Sequence, residues 1–487
     1  MAAVQSRNTH LPSDTNPTRR TVWTGIACGA ILVASGIVRF YAALGDFWLD
    51  EIWSWNIAGN VLTDWDILTN IHHDNNHHLN TWFIYLLGQN QHWTVYRIPS
   101  VMAGIGTVAV AGLIGNRHGK LEAVTAMLLT AGSYLQVHYS SEARGYSGMI
   151  FFALLSFYLL DKSLKGARPE TNLCFAFTAI LGFLSHLQFV FCYAGLVSWS
   201  LWRLVHDRKH RRRLIKINLR CHLPPIAFVS WLYYVDISQM MIGGGPEPRL
   251  GEVLVELLSL TAGGPAAGPV ALVLAVAVVF VVLFALILLH RNGSDEWVFY
   301  LTTILIAPVL ISVVMQHTLL YVRYFLVCSM FALLLVNHAL AQLVRFKPVG
   351  RPLFVVILLG MLVSNSIHVS RLIRLGRGHY QQAIQMINDQ TQGPLITIGS
   401  DHPFRNPMIL RFYQGHMSNL KPLKYRQQGQ GPPQGPEWFL LHEFDSEQKP
   451  DTTFSDSFGN RYQLIKEFPS AGLSGWNWVV YHNENQE

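Results

Sequence analysis

The chain has 487 residues, of which 51% are hydrophobic and only 13% are Asp, Glu, Lys or Arg. Soluble domains carry about a quarter of charged residues, so this composition excludes a soluble protein of this size. Although the formal net charge is +7, the basic residues cluster in short connections between apolar runs, where they act as membrane topology signals. The sequence therefore predicts a polytopic membrane protein without a nucleic-acid partner.

The apolar runs predict about eleven membrane crossings, each about as long as a bilayer core is thick. Residues 1–20 are polar and are expected to form a cytoplasmic tail. The run from Val22 to Leu44 is too long for a signal peptide and is predicted to be a retained first helix. The basic connections are all cytoplasmic only if residues 172–201 form a hairpin of two helices that turns near His186. The other runs lie at about 97–115, 121–138, 147–160, 222–235, 268–290, 297–315, 319–343 and 352–370.

The same parity argument assigns loops to the non-cytoplasmic face. Only one membrane crossing fits between the first loop and Arg117, and the run 97–115 supplies it. The segment Leu79 to Gly88 is therefore predicted to lie at the membrane interface or to re-enter the membrane without crossing it. The transmembrane domain is thus expected over residues 21–370. Its far-side loops are residues 45–95, 139–146, 236–267 and 316–321, and the chain after about residue 371 follows on that side.

Residues 371–487 have the composition of a small extracytoplasmic α/β domain. The pattern predicts a helix over Tyr380 to Asp389, and the Gln/Gly/Pro stretch from Gln427 to Pro436 predicts a flexible loop. Short apolar runs of strand length lie at Pro394–Ile398, Trp438–His442, Tyr462–Phe468 and Trp476–Tyr481.

Two adjacent carboxylates, Asp50 and Glu51, follow the first helix among aromatic residues. Adjacent residues cannot share a helical face, so one can face a cavity while the other points elsewhere. A carboxylate in a partly dry setting can act as a general base for an attacking hydroxyl. The alternative is an interfacial aromatic belt in which Asp50 caps a helix.

A histidine-rich block later in the first loop is a second candidate site. The pairs His73/His77 and Asp74/His78 have the i, i+4 spacing of a helical metal site. Alternatively, the imidazoles and the Asn76 amide contact a sugar or a phosphate, or the block is a polar loop that caps the next segment.

Two arginines occupy other far-side helix ends. Arg144 lies in the segment Ser140 to Tyr146, and Arg323 lies at the start of a late apolar run. A guanidinium forms paired hydrogen bonds to phosphate, which suits an anionic lipid head group. The alternatives are a local ion pair between Arg144 and Glu142 and snorkelling of Arg323 to the interface. Their common sidedness with the acidic loop favours one shared site.

Five motifs together resemble GT-C membrane glycosyltransferases of the protein-mannosyltransferase and aminoarabinose-transferase type (glycosyltransferase family 39 type). Their order and spacing on this topology carry the resemblance, which covers about residues 20–370. The motifs are LDE at Leu49–Glu51, HDNNHHLNTWFIYLLG before YRIPS at Tyr96–Ser100, SSEARGYS at Ser140–Ser147, GFLSH at Gly182–His186 and VRYF at Val322–Phe325.

The resemblance implies a polyprenyl-phosphate-linked sugar as donor, basic residues at its phosphate, and a catalytic acid in the first extracytoplasmic loop. Asp50 matches that acid and Glu51 its partner. His77 and His78 fall where many relatives have a His-Pro-Pro or Lys-Pro-Pro element. Because this chain lacks those prolines, the roles of the two histidines stay open.

The expected function is transfer of a sugar from a polyprenyl phosphate to a hydroxyl acceptor, with inversion and with Asp50 as general base. The enzyme is expected in a bacterial inner membrane, with its site facing outward. A divalent metal ion, held among His73, Asp74, His77 and His78, is the one cofactor left open. The residues expected to contact substrate are Asn76, His77, His78, Glu142, Arg144, Tyr146, His186, Arg323 and Tyr324.

Two other classes of protein remain alternatives. A secondary transporter also carries charged residues in its membrane part, but transporters show two similar halves with charges near the midplane. The second alternative is a binding protein with a transferase-like fold and no turnover. An intact Asp50 argues against it.

Overall fold

The computed structural model describes residues 17–245, 248–315, 321–427, 434–443, 450–456 and 458–486. Most of the expected N-terminal tail, residues 316–320 of a far-side loop and residues 428–433 of the expected flexible loop lie outside these ranges.

The membrane part consists of apolar helices with their charged residues near the ends. For example, α14 begins with a proline in its first turn and ends at Arg291. A π-helical turn at Thr302–Ile306 joins α15 to α16. The helices are α1 Pro17–Ala42, α2 Leu49–Gly59, α3 Asp66–Thr69, α4 His78–Leu87, α5 Trp93–Tyr96, α6 Ile98–Gly115, α7 Lys120–Gly132, α8 Tyr134–Tyr139, α9 Tyr146–Leu164, α10 Pro169–Ser185, α11 Phe189–His206, α12 Arg211–Val235, α13 Leu250–Ala262, α14 Pro269–Arg291, α15 Trp297–Leu301, α16 Ala307–Met315, α17 Leu326–Leu343 and α18 Gly350–Leu375.

The predicted helical membrane fold is confirmed, and a helix lies at every predicted apolar run. The run 172–201 forms the hairpin of α10 and α11, with His186 in the turn. Within the described residues, six helical segments are long and apolar enough to cross a membrane. The count of eleven crossings stays a prediction. The six segments are Val22–Ala42, Trp93–Gly115, Tyr146–Leu164, Pro269–Arg291, Val322–Leu343 and Gly350–Gln390.

Two membrane-domain elements differ from the prediction. The run 121–138 is broken at Ser133 into α7 and α8. Residues 236–267, expected as a loop, contain α13, which ends at Gly263 in the left-handed conformation that favours glycine. Helix α13 buries Val253, Leu257 and Leu260 in the membrane-domain core, so the contacts that stabilise it are long-range.

The first far-side loop is compact and helical, with four short helices from α2 to α5. Helix α4 has ten residues and is therefore about 15 Å long, half the thickness of a bilayer core. It is too short to cross, in line with the expectation for Leu79 to Gly88. Side-chain amides hold the loop together, since Asn76 donates to the carbonyls of Ile67 and Ile71.

The C-terminal domain has one mixed six-stranded sheet in the order β2-β1-β3-β6-β5-β4. Strand β1 is parallel to β2 and β3, whereas the other pairs are antiparallel. The predicted small α/β domain is confirmed, although α20, β2 and β4 were not predicted. Its elements are α19 Tyr380–Gln390, β1 Ile396–Ser400, α20 Arg405–His416, β2 Leu423–Arg426, β3 Trp438–Glu443, β4 Thr453–Ser455, β5 Arg461–Phe468 and β6 Asn477–Asn483.

The C-terminal domain and the first loop share one hydrophobic core. Phe47 stacks on Phe412 of α20 with ring centroids 5.9 Å apart, and Trp48 meets Trp476 edge-on at 6.1 Å. The Tyr413 hydroxyl donates to the carbonyl oxygen of Phe47 at 2.9 Å. The start of α2 is therefore fixed by the soluble domain as well as by the membrane helices.

Candidate active site

A cavity of about 380 Å³ opens beside the first loop, within the range of ligand pockets. One wall is polar and contains Asp50 and the segment 74–78, whereas the other is apolar and contains Phe183, Leu187 and Phe191 from the α10–α11 hairpin. Such a cavity can accommodate a ligand with a charged head and an apolar tail.

Several helices begin at this cavity. Asp50 is in the first turn of α2, His77 precedes α4, and Tyr146 begins α9. The unpaired backbone N–H groups of helix N-termini favour negative charge. Together with Arg144 and Arg323, which also line the cavity, they indicate a site for an anion.

Asp50 lies between the two arginines. It forms an ion pair with Arg144, and one of its oxygens is 3.8 Å from a terminal nitrogen of Arg323. The Nε–H groups of both arginines are buried and lack a hydrogen-bond partner among the described residues. Because a buried donor without a partner is costly, these N–H groups suit an incoming anionic ligand.

Glu51 points away from the cavity and is fully buried. Arg97 binds both of its carboxylate oxygens, at 2.7 and 2.5 Å, and the backbone N–H of Ala143 donates to it at 2.7 Å. The expected divergence of the two adjacent acids is therefore observed. The expected catalytic role of Glu51 has no support in this geometry, since the carboxylate is enclosed by structural partners.

His77 has a defined hydrogen-bonding role. The backbone N–H of Gly145 donates to its Nδ1 at 2.7 Å, so the proton of the neutral ring is on Nε2. Burial and then the nearby Arg144 lower the pKa of His77 well below its usual value. The ring therefore stays neutral at physiological pH. Its Nε2 lies 3.4 Å from a terminal nitrogen of Arg144, and because both groups are donors they do not bond to each other.

Two further predicted residues, Tyr146 and His186, complete this side of the cavity. Their rings stack with centroids 4.6 Å apart, and the ring of His186 is also 4.6 Å from that of His77. Burial, then Arg144, lowers the pKa of His186 to about 3, so it too is neutral. Tyr324 lines the cavity beside Arg323.

The histidine block does not form the helical metal site that its spacing suggested. Helix α4 begins at His78, so the pairs His73/His77 and Asp74/His78 do not share a helical face. His73 contacts Asp74 at 3.0 Å, whereas His78 binds Asp236 through Nε2 at 2.9 Å. The four candidate ligands are thus divided among three sets of contacts: His73 with Asp74, His77 with Gly145, and His78 with Asp236. His77, His78, Asp74 and Asn76 all line the cavity.

Glu142, expected to contact substrate or Arg144, does not line the cavity and pairs with Arg377 instead of Arg144. It is fully buried beneath the cavity-lining segment, where Arg377 donates to it at 2.9 Å and Ser474 at 2.5 Å. Burial alone would raise its pKa, but Arg377 and then a hydrogen bond from His138 hold the pKa below its usual value. Glu142 is therefore an anchor for the C-terminal domain.

Among the tryptophans near Asp50, only Trp53 lines the cavity. Its ring lies 4.5 Å from that of His73. Trp48 packs against the C-terminal domain, and Trp55 meets Phe412 edge-on at 5.2 Å. Trp53 is thus the one of the three that is available for stacking on a sugar.

Four residues that position the site were not predicted from the sequence: Arg97, Gly145, Asp236 and Arg377. Asp236 bridges two histidines of the first loop, since one oxygen is 3.0 Å from His72 and the other 2.9 Å from His78. One sequence feature could have identified Arg97 and Asp236 as candidates: each is a charged residue at the end of an apolar run. Their partners, however, lie far away in the sequence.

Gly145 is a site of close approach between the loops. A Cβ there would lie 1.8 Å from the carbonyl oxygen of Ser185 and 3.0 Å from the Cβ of His77. We therefore expect Gly145→Ala to displace His77 and to lower the Tm of the protein. Gly360→Ala is the matched control, because a Cβ at Gly360 meets nothing within 4 Å. An equal Tm in both variants would contradict this role.

The helical membrane domain and the small sheet domain together make up a fold that is also found in solved structures. Structures that share this fold include those of ArnT from Cupriavidus metallidurans, in the apo state and bound to undecaprenyl phosphate. The apo structure is 13% identical with a TM-score of 0.53, and the bound structure is 12% identical with a TM-score of 0.51. Each comparison covers 95% of this chain and 98% of the ArnT chain. The sequence matches no protein-family model and none of the curated proteins.

Proposed function

We propose that this protein is a membrane glycosyltransferase that transfers a sugar from a polyprenyl phosphate to a hydroxyl acceptor. The observation that carries the proposal is the arrangement of Asp50, Arg144 and Arg323 in a cavity with one polar and one apolar wall. The Asp50 carboxylate can act as a base, and the two arginines beside it can bind an anion. Both groups are close enough to contact the same ligand. The shared fold with ArnT, which binds undecaprenyl phosphate, supports the same lipid class as donor carrier.

The donor phosphate takes the place of Asp50 on Arg144 and Arg323. Both are permanently charged and have buried N–H groups ready to donate. This exchange releases the Asp50 carboxylate from its ion pair. Binding of the donor thereby activates the base, which couples substrate recognition to chemistry.

In the reaction, the acceptor hydroxyl attacks the anomeric carbon and passes its proton to Asp50. The new bond joins the acceptor oxygen to this carbon, and the bond from the carbon to the phosphate oxygen breaks. Polyprenyl phosphate leaves with the bonding electrons, and the two arginines stabilise its charge. A single displacement inverts the configuration of the anomeric carbon.

Acceptor-dependent release of polyprenyl phosphate tests the proposal. Purified protein in lipid vesicles would receive polyprenyl-phosphate sugars and a cell-envelope fraction as the source of acceptor, both extracted from producing cells. The freed lipid phosphate would be measured with and without that fraction, for wild-type protein and for Asp50→Asn. Release by wild-type protein alone is expected. Movement of a solute across the vesicle membrane without release would favour a transporter, and binding without release would favour an inactive binding protein.

The two arginines are expected to contribute to donor affinity through paired hydrogen bonds. Charge-assisted hydrogen bonds contribute about 1.5–3 kcal/mol, so Arg144→Ala or Arg323→Ala should weaken binding of undecaprenyl phosphate by about tenfold or more. The Lys variants should be intermediate, because charge remains but the paired geometry is lost. Arg203→Ala, at a partly exposed pair with Asp295, is the control. Undiminished affinity in both Ala variants would place the phosphate elsewhere.

We further propose that the cavity faces the outside of a bacterial cell membrane. Cysteine labelling tests this in a background without the five native cysteines. Leu62→Cys, 89% exposed in the first loop, and Leu395→Cys in the C-terminal domain should react with a membrane-impermeant reagent in intact cells. Lys165→Cys, between α9 and α10, should react only after permeabilisation. Labelling of Lys165→Cys in intact cells would indicate the opposite orientation of the protein in the membrane.

A further inference from the structure

A cluster of metal-binding side chains lies at the end of the helix bundle opposite the candidate active site. His118 is in the turn between α6 and α7, Glu122 is in the first turn of α7, and His338 is near the end of α17. His338 lies twelve residues after Leu326, so it is about 18 Å along the helix from the cavity end. The cluster is therefore separate from the cavity that contains Arg323.

The geometry of these three side chains is that of a metal site. Within the described part of the chain, they form the one group of three His, Cys, Asp or Glu side chains whose ligand atoms lie within 4.8 Å of one another. The rings of His118 and His338 have centroids 4.8 Å apart. Glu122 and His338 are 4% and 8% exposed, whereas His118 is exposed and gives access from solvent.

Two atoms of the cluster point to a missing ligand. His338 Nδ1 is 2.6 Å from Glu122 Oε1, which orients the imidazole. The remaining atoms, His338 Nε2 and Glu122 Oε2, are buried and have no hydrogen-bond partner among the described residues. A carboxylate oxygen and an imidazole nitrogen this close together can share one metal ion, which would replace the proton between them.

The surroundings suit a cation. All three side chains line a small cavity of about 20 Å³, enough for one water-sized ligand. Glu296 also lines this cavity, and it pairs with Arg117, which is 3.3 Å from Asp161 as well. Arg117 thus pairs with the carboxylates of Asp161 and Glu296, and not with that of Glu122.

We propose that His118, Glu122 and His338 bind one divalent transition-metal ion, with Zn²⁺ best suited to the donor set. Two imidazoles and a carboxylate are ligands that Zn²⁺ accepts in tetrahedral geometry, and the small cavity leaves room for a water molecule as the fourth ligand. The ion would tie the α6–α7 turn to α17. Since α6 begins next to Arg97 and α17 next to Arg323, it would fix the far ends of two helices that carry the active site.

Zinc stoichiometry in purified full-length protein tests the proposal. The protein would carry a tag without histidines, be stripped of metal and be titrated with Zn²⁺ in lipid. Wild-type protein is expected to bind one equivalent. His118→Ala should lower the affinity at least about tenfold, because loss even of an outer-shell partner costs 10- to 100-fold. Zn²⁺ should also raise the Tm of wild-type protein but not of this variant.

Two control variants and a second variant of the site make the result decisive. The matched controls are His210→Ala, at an exposed residue between α11 and α12, and His78→Ala, at the active-site cavity. Both variants should still bind one equivalent of Zn²⁺. Glu122→Gln keeps the shape of the buried side chain and should lose affinity like His118→Ala, which covers the case of a misfolded variant. Equal Zn²⁺ affinity in wild type, His118→Ala and Glu122→Gln, or loss in His78→Ala alone, would overturn the proposal. Neither outcome bears on transferase activity, so the two proposals fail independently.

Discussion

Replacement of Asp50 by Asn is expected to lower turnover by about 10²- to 10⁴-fold, the usual range for loss of a general base. Asn keeps the size of the side chain and much of its hydrogen bonding but cannot accept the proton of the acceptor hydroxyl. Binding of undecaprenyl phosphate should stay equal or become tighter, because Arg144 and Arg323 no longer have Asp50 as a competing anion. Turnover and lipid affinity would be measured on the same vesicle preparation.

Asp74→Asn is the matched control, since Asp74 lines the same cavity but its carboxylate pairs with His73. It should change turnover far less than Asp50→Asn. The structure contradicts the alternative in which Asp50 caps the helix, because the N-cap of α2 is Trp48. If Asp50 only stabilises the first turn of α2 through its charge, Asn should cost about 0.3–1 kcal/mol of stability and leave turnover almost unchanged. Near-wild-type turnover in Asp50→Asn would therefore sink the assignment of Asp50 as the base.

Glu51→Gln is expected to act on stability, with a loss of about 3–5 kcal/mol in the free energy of unfolding. The change leaves the guanidinium of Arg97 buried without its counter-charge, and both side chains are fully inaccessible. The same pair holds the start of α2 to residues 43–46, because Arg97 also donates to the carbonyls of Ala43, Gly45 and Asp46. Denaturant titration in detergent micelles would measure the loss.

A double replacement separates the charge from the packing. Replacing both Glu51 and Arg97 by apolar residues of similar volume should recover much of the loss, since no buried charge is left unpaired. Removal of the partly exposed pair partner Arg203 should cost only about 0–1 kcal/mol. A loss of only about 0–1 kcal/mol in Glu51→Gln would mean that the ion pair between Glu51 and Arg97 does not stabilise the first loop.

The membrane helices were predictable because their signal is local. A run of apolar residues bounded by charges needs no partner to be recognised, and the α10–α11 hairpin followed from basic connections alone. Helix α13 was missed since it is too short to span and is stabilised by Val253, Leu257 and Leu260 in contact with other helices. Helix α20 was missed for a similar reason, because its aromatic residues pack on the first loop.

The candidate site was predictable where residue type and membrane side were enough. Asp50, Arg144 and Arg323 meet in one cavity, as their common sidedness indicated. Glu142 does not join them, since its partner Arg377 is 235 residues away and the sequence shows no link between the two. The histidine pairs do not have the helical arrangement that their i, i+4 spacing suggested, because that spacing has meaning only inside a helix and α4 starts at His78.

The core shared by the first loop and the C-terminal sheet limits how this protein can be divided. Trp48 and Phe47 lie two and three residues before Asp50, and both are covered by the soluble domain. Deleting that domain would expose these aromatic rings to water and release Asp50 from its position. A chimera that takes the soluble domain from a relative must therefore also take residues 45–95 from it. These two segments are almost three hundred residues apart in the chain, but they must be exchanged together.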